Sequence, residues 1–443
     1  MTVIGLDDTD SRERGMCTTY LATLVGEAVE AAGGRVERRL LVRLNPAVEH
    51  KTRGNAALAL HVSFPPGAAF EVACAELEHL AETDDPRTSP GVVVADGHPG
   101  DVPDRVAAFA REAVREFHDV ESAVALADRN GYRHRGWAGG RGRIGALAAV
   151  GAWAAFDEWT YERISYREFE RCGTPREVDE ASVFEAAEAF YPDAWDTVDR
   201  AEGEAVCVPN APGPILHGIR GDDPGAVRAL AARIESEPVD RAATFLTNQG
   251  TDAHLRPGTV GDLRDGRAYR VTGVVASAPE TRPGGHVFFS LAGGADGRDR
   301  TGDEEVDSRA DSPASTGELP CVAFEPTKRF RDRVRALRPG DRITVCGEVG
   351  RGTLKLEKFA VRDLVRRRRV VPPCPDCGRT MESAGRGQGY RCRDCGTSAD
   401  GRRERPLERD LERGWYEVPP CARRHVAKPL VRGGFDAPIH PER

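Results

Sequence analysis

Four cysteines near the C-terminal end constrain this chain most. Cys374-x2-Cys377 and Cys392-x2-Cys395 stand fourteen residues apart, and each pair is followed by a glycine, Gly378 and Gly396. Such knuckle turns aim two thiolates at one ion. Four thiolates with no open position make a tetrahedral structural Zn2+ site, a zinc ribbon over residues 370–400. A redox dithiol needs only one CxxC pair, so the doubled spacing argues against it. A unit this short has little core of its own, and the metal supplies its folding energy. The remaining cysteines are scattered, as in a reducing compartment. Cys421 and His425 offer two ligands only, too few for a second metal. The sequence has no apolar run of membrane-spanning length and no basic-plus-apolar leader; a cytoplasmic protein is expected.

The N-terminal stretch VIGLDDTDSRERGMCTTY (3–20) is the second strong signal. Val3, Ile4 and Leu6 read as a strand that empties into a loop with Asp7, Asp8 and Asp10. After Gly15 a helix opens near Cys17-Thr18-Thr19. Tyr20, Leu21, Leu24, Val25, Ala28 and Val29 keep its helical spacing until Gly33-Gly34. Carboxylates at a strand end suit Mg2+, and the free N–H groups of a helix start suit phosphate. The stretch therefore resembles a place that holds Mg-ATP beside hydroxyls able to accept a phosphoryl group. An acidic turn followed by an N-capping threonine would look the same locally.

Between these two signals the texture changes twice. Strands at Arg39–Leu44, Asn55–Phe64 and Gly91–Gly97 alternate with helices over 68–82 and 102–117, which predicts an ATP-binding α/β unit over 1–120. A second unit, 121–258, is expected to start with an apolar strand at Ala123–Ala127. It continues through a Gly/Arg-rich loop, a helix at Ile144–Trp153, and helices near 180–191 and 225–236. From 261 to 365 five short β-rich runs separated by Gly and Pro turns fit an OB-type barrel. An acidic stretch, 293–318, poor in apolar residues, reads as a surface insertion. Four arginines, Arg366–Arg369, precede the ribbon, and 401–443 reads as a C-terminal tail. The fold class is thus multidomain α+β with a β-barrel and a zinc ribbon.

Gly140-Arg-Gly142-Arg-Ile-Gly145 matches a dinucleotide fingerprint literally, but no apolar strand runs directly into it, so a Rossmann unit is rejected. A glycine loop with Arg141 and Arg143 entering a helix suits the phosphates of ATP or RNA; an exposed basic turn is the plainer alternative. Small polar groups crowd 209–224 and 247–254, as in a polar-ligand pocket or in ordinary turns. Phe288, Phe289, Phe324 and Phe330 are candidate stacking platforms on the barrel, and alternation assigns about half of them to its core. The formal charge is −8, yet only five of the 63 basic residues are lysines. Abundant acid with scarce lysine looks salt-adapted. At high salt the Debye length falls to a few Å, so RNA would be held by close arginine contacts and stacking. Net acidity does not exclude an RNA partner.

GLDDTDS and GMCTTY, GRIGALAAVGA, RCGTPR, PGPILHGIRGDDP, TNQGTDAHL, the barrel, CPDCG with CRDCG, and PPCARRHVAKPL occur in one order. Together they resemble the archaeal tRNA-isoleucine 2-agmatinylcytidine synthetases over nearly the whole chain. The resemblance implies a kinase-like domain, a ferredoxin-like agmatine-binding domain, an OB-fold and a zinc ribbon. It implies ATP-dependent coupling of agmatine to C2 of the wobble cytidine in the CAU anticodon of a minor isoleucine tRNA, with ATP ending as AMP and phosphates. Thr18 would be the phosphorylated threonine, with Thr19 its competitor. Asp7, Asp8 and Asp10 would serve catalysis, Asp7 and Asp10 holding Mg2+. Gly15, Thr19, Arg141, Gly142, Arg143 and Gly145 would meet phosphates. An acidic group between 160 and 255 would clasp the guanidinium of agmatine, with Asp222 and Asp252 as candidates. No obligate protein partner is expected. A non-catalytic RNA binder, or another ATP-dependent RNA-modifying enzyme, are the competing readings.

Overall fold

The computed structural model describes residues 1–51, 54–293 and 317–441. The first half contains β1 (Thr2–Asp7), α1 (Thr18–Ala31), β2 (Arg35–Arg43), β3 (Ala56–Ser63), α2 (Pro66–Leu80), β4 (Gly91–Asp96), α3 (Asp104–Ala113), α4 (Val120–Arg129), β5 (Arg133–Gly136) and α5 (Arg143–Ala155). It continues with β6 (Thr160–Arg167), α6 (Glu180–Phe190), β7 (Ala194–Trp195), β8 (Ile215–Gly221), α7 (Pro224–Ala231) and β9 (Val239–Thr247). These strands form one sheet in the order β5-β4-β1-β3-β2-β9-β6-β8-β7. Pairing is antiparallel on each side of a single parallel join, where Leu40 and Leu41 of β2 face Leu246 and Thr247 of β9.

Side-chain alternation sorts the first half of the sheet into two cores. Ile4, Leu6, Leu58 and Leu60 pack under α1 and α2, with Leu21, Val25 and Leu77. Val3, Ala57, Ala59 and Val93 pack under α3 and α5, with Val106, Leu147 and Val150. α5 (RIGALAAVGAWAA) is apolar on every side, as a buried helix should be. It lies so close to β1 that a Cβ on Gly5 would overlap the Ala146 carbonyl and stand 3.0 Å from Val150.

Residues 121–155 therefore belong spatially with the first strands, although the sequence groups them with the second unit. The strand expected at Ala123–Ala127 is helix α4. Asp119 caps it, accepting from the Ser122 N–H at 2.6 Å. A five-residue apolar run carries no period by which strand and helix can be told apart, and the cap decides.

The expected barrel is present. β10 (Leu255–Gly258) leads into β11 (Arg267–Val275), β12 (Glu280–Thr281), β13 (Val287–Gly293), β14 (Glu318–Ala323), α8 (Phe330–Arg335), β15 (Arg342–Gly350) and β16 (Thr353–Asp363). Closure runs β11-β15-β16-β14-β13 and back to β11. Val271, Leu291, Val345 and Phe359 fill the interior, and Phe330 and Val334 of α8 plug one end. Phe289 and Phe330 are thus core, whereas Phe324 is exposed and Phe288 lies under the Arg282 guanidinium at 4.3 Å. The acidic stretch expected at 293–318 lies outside the described residues, apart from Gly293, Gly317 and Glu318 at its ends.

The ribbon hangs on β17 (Arg367–Val370), which pairs with β21 (Arg403–Pro406); the first knuckle precedes β18 (Glu382–Ser383), and the second lies between β19 (Tyr390–Arg391) and β20 (Ser398–Ala399). Residues 401–441 are no loose tail. β22 (Gly414–Glu417) joins β16, and the chain then fills the seam between the barrel and the second unit. There Arg423 bridges Asp196 at 2.7 Å and Glu417 at 2.6 Å. No helix among the described residues is long and apolar enough to cross a membrane.

Candidate active site

The ends of β1 and β2, the first turns of α1 and α5, and the wall of the second unit enclose a cavity of about 460 Å³. Asp7, Asp8, Asp10, Thr18, Thr19, Arg141, Gly142 and Gly145 all line it, so most of the residues singled out from sequence meet in one place. The chain reverses sharply there: Asp8 and Met16 both have positive φ, 61° and 57°. Asp8 accepts from Arg141 Nη2 at 2.9 Å and from the Ser89 N–H at 3.2 Å. Thr18 Oγ1 accepts from Thr9 Oγ1 at 3.0 Å, while Thr19 Oγ1 lies 3.0 Å from Cys17 Sγ.

Burial and the neighbouring Asp8 push the Asp7 carboxyl well above its ordinary range. Burial raises Asp8 to about 6, with Arg141 opposing the shift. One guanidinium does not offset the crowded negative charge. Two or three carboxylates at a strand end fit Mg2+, which takes few protein ligands and completes its shell with phosphate oxygens and water. Among the described residues, the four cysteines form the one full cage of at least three metal-binding groups, their Sγ atoms lying within 4.8 Å of one another; that donor set fits structural Zn2+.

Gly142 and Gly145 line the cavity and also make room for Asp7. A Cβ on Gly145 would overlap Asp7 Oδ2 and stand 2.9 Å from Leu44 Cδ1, and one on Gly142 would stand 2.6 Å from the Asp7 carbonyl oxygen. They bring the α5 N-terminus against the Asp7 carboxylate, where the helix dipole favours negative charge. α1 starts at Thr18 without a side-chain cap, so two helix starts face one cavity.

Four candidates lie elsewhere. Gly15 (φ 99°) closes the loop through the Ser11 N–H bond to its carbonyl. Arg143 folds back, its Nε donating to the Gly140 carbonyl at 2.9 Å. Asp222 accepts from Trp195 Nε1 at 3.0 Å and from Arg432 at 2.8 Å. Asp252 takes Arg270 at 2.5 Å and Lys358 at 3.2 Å. The last two are tied to the chain's own cations in the barrel and C-terminal segment, and neither lines the cavity.

Glu162, Arg43 and Arg176 line it instead, and sequence reasoning missed them. Glu162 is 4% exposed and stands 3.7 Å from Arg43 and 3.4 Å from Arg220; its Oε2 has no hydrogen-bond partner. Asn248 and Gln249 fix Arg43, each through a 2.7 Å bond. Arg176 braces the loop wall through the carbonyls of Ala211 at 2.7 Å, Gly213 at 3.0 Å and Ile215 at 2.7 Å. Of the crowded polar stretches, 209–215 supplies part of the cavity wall, whereas 247–254 does not line it and acts from behind, Asn248 and Gln249 holding Arg43.

Fold and site together define a multidomain α+β protein with a barrel and a C-terminal zinc ribbon. Family models named TiaS TCKD domain, TiaS FLD domain and TiaS C-terminal zinc ribbon domain match residues 3–69, 140–254 and 371–411. The isoleucine-tRNA 2-agmatinylcytidine synthetase TiaS of Haloquadratum walsbyi is 62% identical, with 100% of each chain covered. Its counterpart from Archaeoglobus fulgidus is 42% identical, with 97% of each covered. A solved complex of TiaS with its isoleucine tRNA and ATP superposes with a TM-score of 0.85 at 39% identity, covering 98% of both chains. A complex of TiaS with the same tRNA, AMPCPP and agmatine gives 0.83 at 37% identity, again covering 98% of both. The chain belongs to the TiaS family.

Proposed function

We propose that the protein is an ATP-dependent tRNA-modifying ligase. It joins agmatine to C2 of the wobble cytidine in the CAU anticodon of the minor isoleucine tRNA. The product, 2-agmatinylcytidine, reads AUA where cytidine reads AUG. The observation that carries this is the convergence of three aspartates, Thr18 and Arg141 on one cavity, in a chain whose full-length relatives are synthetases of this name.

The amide-like O2 of cytosine is a poor leaving group. O2 attacks the terminal phosphorus of ATP, whose bond to the β-phosphate oxygen breaks as the new P–O bond forms, and the C2–O2 bond is thereby weakened. The agmatine amine then attacks C2, and phosphate departs with O2 as the amine loses its proton. Asp7 and Asp10 would hold Mg2+, which would offset charge on the triphosphate. Arg141 and the starts of α1 and α5 orient the phosphate chain, and Thr18, its oxygen held by Thr9, takes a phosphoryl group in a transfer separate from the one to O2, its hydroxyl proton leaving as the P–O bond to the nucleotide breaks. The wobble base is unpaired, so turning it into the cavity is cheap.

For the guanidinium of agmatine we assign Glu162. It is an acidic group within 160–255 that lines the cavity, and its buried Oε2 lacks a hydrogen bond, with Arg43 and Arg220 standing off at 3.7 and 3.4 Å. In domain terms, 1–120 with α4, β5 and α5 forms the kinase-like unit. A ferredoxin-like unit follows, supported by its β-α-β-β-α-β element order and the strand order β9-β6-β8-β7. The barrel and ribbon grip tRNA away from the reaction. A cytoplasmic location belongs to this reading.

The test is incubation of protein, ATP, Mg2+ and isoleucine tRNA transcript with labelled agmatine in molar KCl. Label is expected in the tRNA only when ATP is present. ATP consumption without label transfer would favour another RNA-modifying enzyme, and inactivity in both assays would leave an RNA binder.

A further inference from the structure

The segment between α2 and β4 straps together the two loops that carry the reaction cavity's charged groups. On the aspartate side, the Glu82 N–H donates to the Thr9 carbonyl at 3.1 Å, and Thr88 Oγ1 donates to the Asp10 carbonyl at 2.7 Å. Ser89, 3% exposed, reaches both loops at once. Its N–H donates to Asp8 Oδ2 at 3.2 Å, and its carbonyl accepts from the Gly142 N–H at 2.8 Å. Its Oγ accepts from the Arg141 N–H at 2.9 Å and donates to the Ala138 carbonyl at 2.8 Å. Pro90 follows, and a residue before proline is biased toward an extended backbone, so the direction of Ser89 is preset. The glycine loop that it meets is strained. Ala138, Gly139 and Gly140 all have positive φ, 49°, 93° and 64°. Glycine adopts that conformation freely, whereas a left-handed alanine persists only where its surroundings hold it. The Ser89 hydroxyl bonds that alanine's own carbonyl.

We propose that Ser89 is a positioning residue for nucleotide binding: its hydroxyl holds the glycine loop in the shape that keeps Arg141 at the phosphate site. Arg141 lines the cavity and is held at both ends. Its Nη2 donates to Asp8 at 2.9 Å and to the Arg87 carbonyl at 2.5 Å, and its N–H donates to Ser89 Oγ. Without the hydroxyl, the Arg141 N–H and the Ala138 carbonyl lose their shared partner. The left-handed loop then relaxes and draws Arg141 off Asp8. Ser89 acts only through Arg141 and does not itself line the cavity. The assignment rests on the function proposed above only in taking the partner of Arg141 to be a nucleotide phosphate.

The test is a double-mutant cycle on the full chain, read as the Kd of AMPCPP with Mg2+ in molar KCl. Ser89→Ala is expected to weaken binding about tenfold, the scale of one hydrogen bond to a charged group. In the Arg141→Ala background the same change should cost no more than about twofold, because the two residues act as one unit. Thr344→Val, which removes a buried hydroxyl from the barrel, is the control; it should lower the melting temperature and leave the Kd unchanged. Each variant is checked by its melting transition. If Ser89→Ala does not fold, Ser89→Cys, of similar bulk but a weak hydrogen-bonding group, is read in its place. A folded Ser89 variant that binds as the wild type does, or a full penalty in the Arg141→Ala background, overturns the assignment. Agmatine labelling of the tRNA is run alongside. If the cycle behaves as expected but no label is transferred, the proposed function fails and the role of Ser89 stands. If labelling succeeds and Ser89→Ala binds normally, only the role of Ser89 fails.

Discussion

Replacing Gly145 by alanine tests whether the glycine loop exists to seat a carboxylate. In a helix, Gly→Ala ordinarily stabilises by about 1 kcal/mol. Here the added methyl would overlap Asp7 Oδ2 and stand 2.6 Å from Asp7 Cγ and 2.9 Å from Leu44 Cδ1. Overpacking of a tight site costs about 1–3 kcal/mol, so stability should fall slightly or stay level. The larger effect falls on chemistry. Asp7 has to leave its place at the α5 N-terminus, and a misplacement of about 1 Å at a reacting centre costs on the order of 10²-fold in rate. Gly67 in α2 is the control, because a Cβ there meets nothing within 4 Å; Gly67→Ala should raise the melting temperature and leave agmatine transfer unchanged. Both variants are compared by kcat/KM for labelled agmatine and by thermal unfolding in molar KCl. A Gly145→Ala protein that gains stability as Gly67→Ala does, with full activity, would refute the role given to this contact.

Glu162→Gln keeps the shape and removes the charge, and should raise KM for agmatine at least roughly tenfold, the loss of a charge-assisted bond, while tRNA binding stays within about twofold. Cys374→Ser, or a strong chelator, should abolish zinc binding by elemental analysis and expose 371–406 to protease, with the barrel resistant because its core is separate. His217 is fully buried with neither ring nitrogen hydrogen-bonded, and burial lowers its pKa from 6.5 to about 4. The unfolded chain therefore binds the proton first: the stability difference between wild type and His217→Leu should be constant above pH 6.5 and move against the wild type below it. The shift should approach about 1.4 kcal/mol per pH unit down to about pH 4, read from denaturant midpoints; a pH-independent difference would contradict it.

Much of this was legible in the sequence because the signals are local. The CxxC pairs, the strand–aspartate–threonine–helix stretch and the barrel's turn-punctuated runs each carry their own spacing. What was not legible depends on partners far along the chain. The seating of α5 on β1 relies on close approaches at Gly5 and Gly145, which no periodicity announces. Glu162 and Arg176 look like ordinary charges in a strand and a loop until the wall they build is seen. Asp222 and Asp252 were attractive because each sits in a polar cluster, but Arg432 and Lys358, which claim them, lie more than a hundred residues away.

The same long-range pairs explain how an acidic chain can hold its cavities in register at high salt. Surface ion pairs fade when the Debye length shrinks to a few Å, whereas buried ones are screened far less. The chain places such pairs under its walls. Arg167 and Glu237 are both essentially inaccessible at 2.6 Å, Arg409 and Asp341 likewise under the barrel, and Arg423 lies between Asp196 and Glu417 in the seam. Breaking one partner of a buried pair leaves a stranded charge and costs roughly 3–5 kcal/mol. The motif PPCARRHVAKPL thus has a physical reason to be there apart from any chemistry of its side chains. It positions the barrel against the second unit, and with it His425 and Arg424 at the edge of a second cavity beside the reaction cavity.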